Sequence, residues 1–221
     1  GMGWGLGSAF VYAVIQQLLG LNSLSYVTTW QSVVAVILLD YIVAFTVVGF
    51  AGVFRNAIKS QAAALTLGCV FVSVLRYACH VISGATVWAG LSIPTQAALS
   101  YSFIYNATYM LPEAIILAVS AAYIGSVIDF REEKLRRLVR ANSGVHAPAM
   151  SIVAGLVAAA AVVYDVVEVF SHLQSAESGE FDITGLAAAN WTAVIAVTAS
   201  AAVVAVLLIV VSKALKNSRE A

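Results

Sequence analysis

The chain has 221 residues, of which 62% are hydrophobic and only 10% charged, and its formal net charge is zero. A soluble domain carries roughly 25% charged side chains, so this chain cannot cover a water-facing surface and is expected to be a membrane protein. Zero net charge excludes the global basic field that would attract nucleic acid, and no G-x-x-x-x-G-K-[ST] run is present to bind ATP.

Six apolar segments follow one another at about 1–20, 28–53, 60–84, 98–129, 147–171 and 187–212. Each approaches the roughly 20 residues that a helix needs to cross a bilayer. The predicted fold is therefore all-α, a polytopic helical membrane protein with about six transmembrane helices. The first segment opens Gly-Met-Gly-Trp, is rich in glycine and is of minimal length. Its glycines suit either close helix contact in lipid or a frayed start. Cys69 and Cys79 fall well apart on the third predicted helix, so they cannot pair with each other.

Lysine and arginine gather in three places. Arg55 and Lys59 follow the second segment, Arg131, Lys134, Arg136, Arg137 and Arg140 follow the fourth, and Lys213, Lys216 and Arg219 follow the sixth. Such regions stay on the cytoplasmic side, so the connections near 21–27, 85–97 and 172–186 are expected to face out. The last of these carries Glu177, Glu180 and Asp182. The run from Asp129 to Arg140 reads as a solvated helix extension on the cytoplasmic side.

Within the spans the polar residues are few. Arg76, His80 and Gly84 recur at i, i+4, i+8 and share a helix face, which Trp88 continues if the helix persists. Asn106, Tyr109 and Glu113 share another face, and Asp40 is the acidic residue of the first three segments. At about 1.5 Å per residue, His80 lies roughly 6 Å below the outer end, Arg76 and Asn106 about 12 Å, Asp40 about 18 Å and Glu113 around 22 Å. Groups this costly in lipid face a protein interior or a cavity. Two readings stand. In one, Asp40 lies in an aromatic pocket open to the outside and meets a cationic or amino-bearing ring. In the other, Asp40 forms an internal salt bridge with Arg76, while Trp88 and Tyr101 belong to the interfacial belt.

The remaining signals are weaker. Cys79 and His80 are adjacent and point about 100° apart on a helix, so no metal site is expected. Glu113 follows Pro112 and reads either as a functional carboxylate at a kink or as a protonated acid bonded to a freed carbonyl. Asp165 and Glu168 read as a rim packing pair, and the Ala-rich stretches 153–162 and 194–206 as packing surfaces.

Residues 40–106 resemble the thiamine-specific substrate-binding subunit, or S-component, of energy-coupling factor transporters. The resemblance rests on Asp40-Tyr41-Ile42-Val43-Ala44, on GFAGVFRN, on LRYACHVISGATVW, and on Tyr101 and Asn106 in YSFIYNATYMLPE. It extends over roughly residues 1–128. It implies a binding subunit and not an enzyme, one that captures thiamine (vitamin B1) at a site open to the outside. It further implies assembly with a transmembrane coupling protein and two cytoplasmic ATPases for vitamin uptake across the cell membrane. The implied ligand residues are Asp40, Tyr41, His80, Gly84, Trp88, Tyr101 and Asn106, with Tyr12 aligning less clearly. No cofactor or metal is implied, and the partners are thiamine, membrane lipid and the transporter subunits.

The chain departs from that family in two respects. Asp40 stands where the family usually has Glu, so the carboxylate is one methylene shorter. The motif-bearing helices, the last four in the family, come first here, and two further segments follow. Either the sequence starts inside the family's pattern or the member is atypical. The expected organisation is a thiamine-binding core over 1–129, a basic cytoplasmic connector over 130–146, and two additional helices with a basic tail over 147–221. The rival functions are an S-component for another small cationic or pyrimidine-type vitamin, an intramembrane enzyme using Asp40, His80 and Glu113 as acid/base groups, and a packing subunit without ligand.

Overall fold

The computed structural model describes residues 2–130, 134–138, 146–173 and 182–220. The chain divides into two compact units, Gly1–Leu138 and Val139–Ala221.

The first unit is built from four helical stretches. Helix α1 is Met2–Leu19, and a short 3-10 turn, Leu21–Tyr26, follows it. Helix α2 spans Trp30–Asn56 and changes pitch along its length: α over Trp30–Val36, π over Ile37–Ile42, α again over Val43–Thr46 and 3-10 over Val47–Asn56. Helix α3 is Gln61–Thr86 and helix α4 is Ala98–Val127. The starts of α2 and α3 are set by local chemistry. Thr29 accepts a hydrogen bond from the Ser32 N–H, and Ser60 accepts one from the Ala63 N–H, each meeting a donor that the first turn leaves open.

Packing follows the rules of lipid rather than water. The interior of this unit is made of small residues such as Ala13, Ala44 and Ala64, with Val36 and Val72, while Leu18, Trp30, Leu99 and Ile116 are exposed. Small residues let backbones approach, and large apolar ones are at home against acyl chains. At the start of α1, Gly5 approaches α2 closely, with a Cβ there 3.0 Å from the Gly49 carbonyl oxygen; Gly3 and Gly7 have open space around them.

A helix occupies each of the six apolar segments. Among the described residues, five stretches are long and apolar enough to cross a membrane: Trp30–Asn56, Gln61–Thr86, Thr95–Val127, Val153–Ser171 and Trp191–Ser212. Helix α1 stands outside that set, since Gln16 and Gln17 shorten its apolar run.

The basic connector differs from the helical extension expected of it. Helix α4 stops at Val127, and Ile128 is extended at φ −120°, ψ 132°. Strand β1, Ile128–Asp129, then pairs antiparallel with β2, Arg136–Arg137. The cause is tertiary. Gln61 of α3 donates through Nε2 to the carbonyls of Gly125 and Ile128, and its Oε1 accepts from the Phe130 N–H. One side chain thus meets the backbone groups that a continuing helix would have met. Residues 131–133 and 139–145 of the predicted connector lie outside the described residues.

The second unit holds α5, His146–Ser171, and α6, Trp191–Glu220, joined through a 3-10 turn, Ile183–Ala188. Asp165 and Glu168 bind these two helices together. The Thr198 hydroxyl donates to Asp165 at 2.6 Å, and the Asn190 N–H at the start of α6 donates to Glu168 at 3.0 Å. Asp182 accepts from both the N–H and the hydroxyl of Thr184, which holds its carboxyl below the usual carboxylate range. Glu177 and Glu180 lie outside the described residues.

Candidate ligand-binding site

The polar cluster of the first unit starts from Asp40, which sits in the π-helical turn of α2. A π turn inserts an extra residue into the helical repeat, re-aims the side chains around it, and occurs frequently at functional sites. Here it presents the Asp40 carboxylate to the C-terminal end of α3. Ser83 Oγ donates to Asp40 Oδ2 at 2.7 Å, and Trp88 Nε1 donates to the same oxygen at 3.0 Å. His80 Nδ1 lies 3.1 Å from the other oxygen, Oδ1. The Asp40 and His80 side chains are 15% and 13% exposed, largely withdrawn from solvent yet still reachable.

Trp88 reaches the carboxylate because α3 ends just before it. The Val87 and Trp88 N–H groups both donate to the Ser83 carbonyl. The chain then turns tightly, with the Trp88 carbonyl accepting from Leu91, Ser92 and Ile93. Gly90 lies within this turn at φ +80°, a conformation that strains a residue bearing a side chain but not glycine.

An aromatic group adjoins the carboxylate, centred on Phe45. Its ring meets Tyr12 edge-on at 5.4 Å between centroids, His80 at 6.3 Å and Tyr41 at 6.5 Å. The Arg76 guanidinium lies 4.7 Å from the centre of the Phe45 ring, a cation–π contact. Arg76 Nη1 donates to Glu113 Oε1 at 2.5 Å. The expected alternative pairing of Arg76 with Asp40 is therefore corrected: Arg76 takes Glu113, and Asp40 takes Ser83, Trp88 and His80. The reading of Glu113 as an acid bonded to a carbonyl freed by Pro112 is corrected by the same ion pair. One turn of α3 separates the two pairings, Arg76 standing four residues before His80.

A further polar set lies where α3 meets α4. The Asn106 amide donates to the Ser102 carbonyl at 2.8 Å and to Ser102 Oγ at 3.1 Å, and the Tyr109 hydroxyl donates to Asn106 Oδ1. Ser102 Oγ donates in turn to the Val81 carbonyl. Gly84 makes this approach possible, since a Cβ there would lie 2.1 Å from Ser102 Oγ.

The eight residues expected at the site are thus distributed unevenly. Asp40, His80 and Trp88 are joined directly. Tyr12 and Tyr41 connect to His80 through the Phe45 ring, while the Tyr41 hydroxyl is engaged by the Gly20 carbonyl and lies 3.2 Å from Ser23 Oγ. Gly84 and Asn106 meet at Ser102. Tyr101 is buried and stacks on Tyr105 at 6.5 Å. A cavity of about 460 Å³ lies apart from the carboxylate, between α1 and the 3-10 end of α2; Tyr12, Gly49, Gly52 and Arg55 are among its lining residues.

Ser83 and Phe45 are the participants that sequence reasoning missed. Ser83 carried a signal, a polar residue three positions after His80 on the same helix. Phe45 carried none, because an aromatic in an apolar span reads equally as a lipid-facing residue.

A family model described as thiamine transporter protein (Thia_YuaJ) matches residues 1–129. The chain belongs to the thiamine transporter family. It is 42% identical over 92 residues to the thiamine transporter ThiT of Bacillus subtilis (strain 168), an alignment covering 38% of this chain and 48% of that relative. The chain thus spans about half the length of the curated relative it matches. No solved structure matches it. All eight expected site residues fall inside the part matched by the thiamine transporter family, whereas α5 and α6 fall outside it.

Proposed function

We propose that the chain is the membrane-embedded, high-affinity thiamine-binding subunit of an ATP-driven energy-coupling factor uptake transporter. The observation that carries this reading is the Asp40 carboxylate, lodged in a helical membrane unit between an indole, an imidazole and the Phe45 aromatic group. Two of its three hydrogen-bonding partners, Ser83 and Trp88, are neutral donors. The guanidinium nearby goes to Glu113, so among the described residues Asp40 pairs with no permanently charged cation. A cation or amino-bearing ring suits such a site, with the carboxylate bonding its polar edge and aromatic faces stacking on it. Thiamine carries both an aminopyrimidine and a cationic ring. Family membership supports thiamine over other cations of similar size.

In this reading Asp40, His80 and Trp88 contact the ligand directly. Tyr12, Tyr41, Tyr101 and Asn106 complete the walls, and Gly84 permits the helix approach that positions Asn106. The site opens to the outside, by the asymmetry of the basic connections. The core 1–129 binds the ligand, the connector 130–146 faces the cytoplasm, and a transmembrane coupling protein with two ATPases supplies the energy. The ligand is released unchanged. The intramembrane-enzyme alternative asks Glu113 to act beside Asp40 and His80, and the engagement of Glu113 by Arg76 argues against that grouping. Calorimetric titration of the purified protein with thiamine tests the proposal. Saturable one-site binding supports it, and no heat of binding from the folded protein overturns it.

A further inference from the structure

We propose that Ser83 is a positioning residue for ligand recognition: it fixes the Asp40 carboxylate so that Oδ2 is committed within the protein and Oδ1, on the His80 side, is the oxygen that exchanges partners with the ligand. The inference rests on the thiamine-binding reading above and extends it to a residue outside the expected ligand set.

Ser83 behaves unlike its neighbours on the same helix. Thr66, Ser73 and Thr86 of α3 each donate to the carbonyl four residues back, at 2.8, 2.9 and 2.6 Å. That is the default for a hydroxyl inside an apolar helix, where lipid offers no other acceptor. Ser83 instead crosses to α2 and donates to Asp40 Oδ2 at 2.7 Å. It is fully buried, at 0% exposure, so no ligand can take its place on that oxygen without repacking the helix. Its carbonyl accepts from the Val87 and Trp88 N–H groups, and the Trp88 indole closes onto the same Oδ2. One residue therefore ties the recognition carboxylate to the turn that carries the recognition indole.

The two carboxylate oxygens are left chemically distinct. Oδ2 accepts from a buried hydroxyl and from an indole held by a short turn. Oδ1 faces Nδ1 of the partly exposed His80 side chain at 3.1 Å, a hydrogen bond that exists only while Nδ1 carries a proton and is released in the other tautomer. An incoming amino group or cation meets less resistance at Oδ1. Without Ser83 the carboxylate rotates about its χ2 bond, and the charge stays present but loses its aim.

Three comparisons test this in the full-length protein. Ser83→Ala is expected to weaken thiamine binding about tenfold, as loss of a hydrogen bond to a charged group does, with the melting temperature little changed. In an Asp40→Ala background the same Ser83→Ala change is expected to have no further effect on affinity, because the serine acts through the carboxylate. In the ligand-free protein, the infrared carboxylate stretch identified by Asp40→Asn subtraction is expected to shift on Ser83→Ala. Equal losses from Ser83→Ala with and without Asp40, or an unmoved carboxylate band, overturn the positioning role. Failure of the unsubstituted protein to bind thiamine overturns the functional reading instead, and the infrared comparison still decides whether Ser83 holds Asp40.

Discussion

Replacing Asp40 with Asn separates recognition from architecture at a single atom pair. The amide has the shape of the carboxylate and can turn its oxygen toward Ser83 and Trp88, keeping both donors satisfied. Its NH2 group then faces His80 Nδ1, which accepts in the neutral tautomer that carries its proton on Nε2. Arg76 is not stranded, because its partner is Glu113. The cost to stability is thus the difference between charge-assisted and neutral hydrogen bonds, on the order of 1 kcal/mol. The cost to a cationic or amino-bearing ligand is larger, because the attraction at Oδ1 is lost altogether. Thiamine affinity is expected to fall at least about tenfold, roughly 1.4 kcal/mol at 25 °C. Calorimetric titration and thermal unfolding of the same preparation measure both quantities. Unchanged affinity in a protein that has lost several kcal/mol of stability would refute the reasoning and reduce Asp40 to a helix clasp.

Glu113→Gln probes the other acid: it leaves the Arg76 guanidinium without its counter-charge beside Phe45 but keeps an accepting oxygen at a half-exposed position, and thermal unfolding is expected to register a loss on the order of 1 kcal/mol, with a smaller change in thiamine affinity than Asp40→Asn causes. Trp88→Ala and Asn106→Ala are each expected to weaken thiamine binding by on the order of 1–3 kcal/mol, and the quenching of tryptophan fluorescence on titration is expected to diminish most in Trp88→Ala. Single cysteines introduced within 131–140 are expected to be shielded from membrane-impermeant thiol reagents in intact cells while one placed near 178 labels; the reverse pattern contradicts the outward-facing site.

The membrane class and the positions of the helices were legible because each rests on a strong, local signal, the length and apolarity of a run. Its limits show at α1, where Gln16 and Gln17 interrupt a segment otherwise read like the rest. The meeting of Asp40, His80 and Trp88 was one of two readings open from scarce polar residues in apolar spans, since such groups seek one another in lipid, and the family resemblance named the same three. Which acid takes Arg76 was not legible. Asp40 and Glu113 were both within plausible reach, and the choice depends on how α3 is rotated against α2 and α4, which spacing along one helix does not fix. The π turn at Ile37–Ile42 was invisible for a similar reason: Asp40 apart, its residues are as apolar as those of the α-helical turns flanking it. The end of α4 was misread because the residue that ends it, Gln61, lies on another helix.

The most direct test of the central claim is thiamine titration of the purified, folded full-length protein by calorimetry, paired with mass spectrometry of whatever small molecule is released on denaturation. The account predicts one saturable thiamine site per chain, and thiamine or its phosphates as the co-purifying species. A folded protein that takes up no thiamine, or releases a different vitamin that competes for the same site, would contradict it.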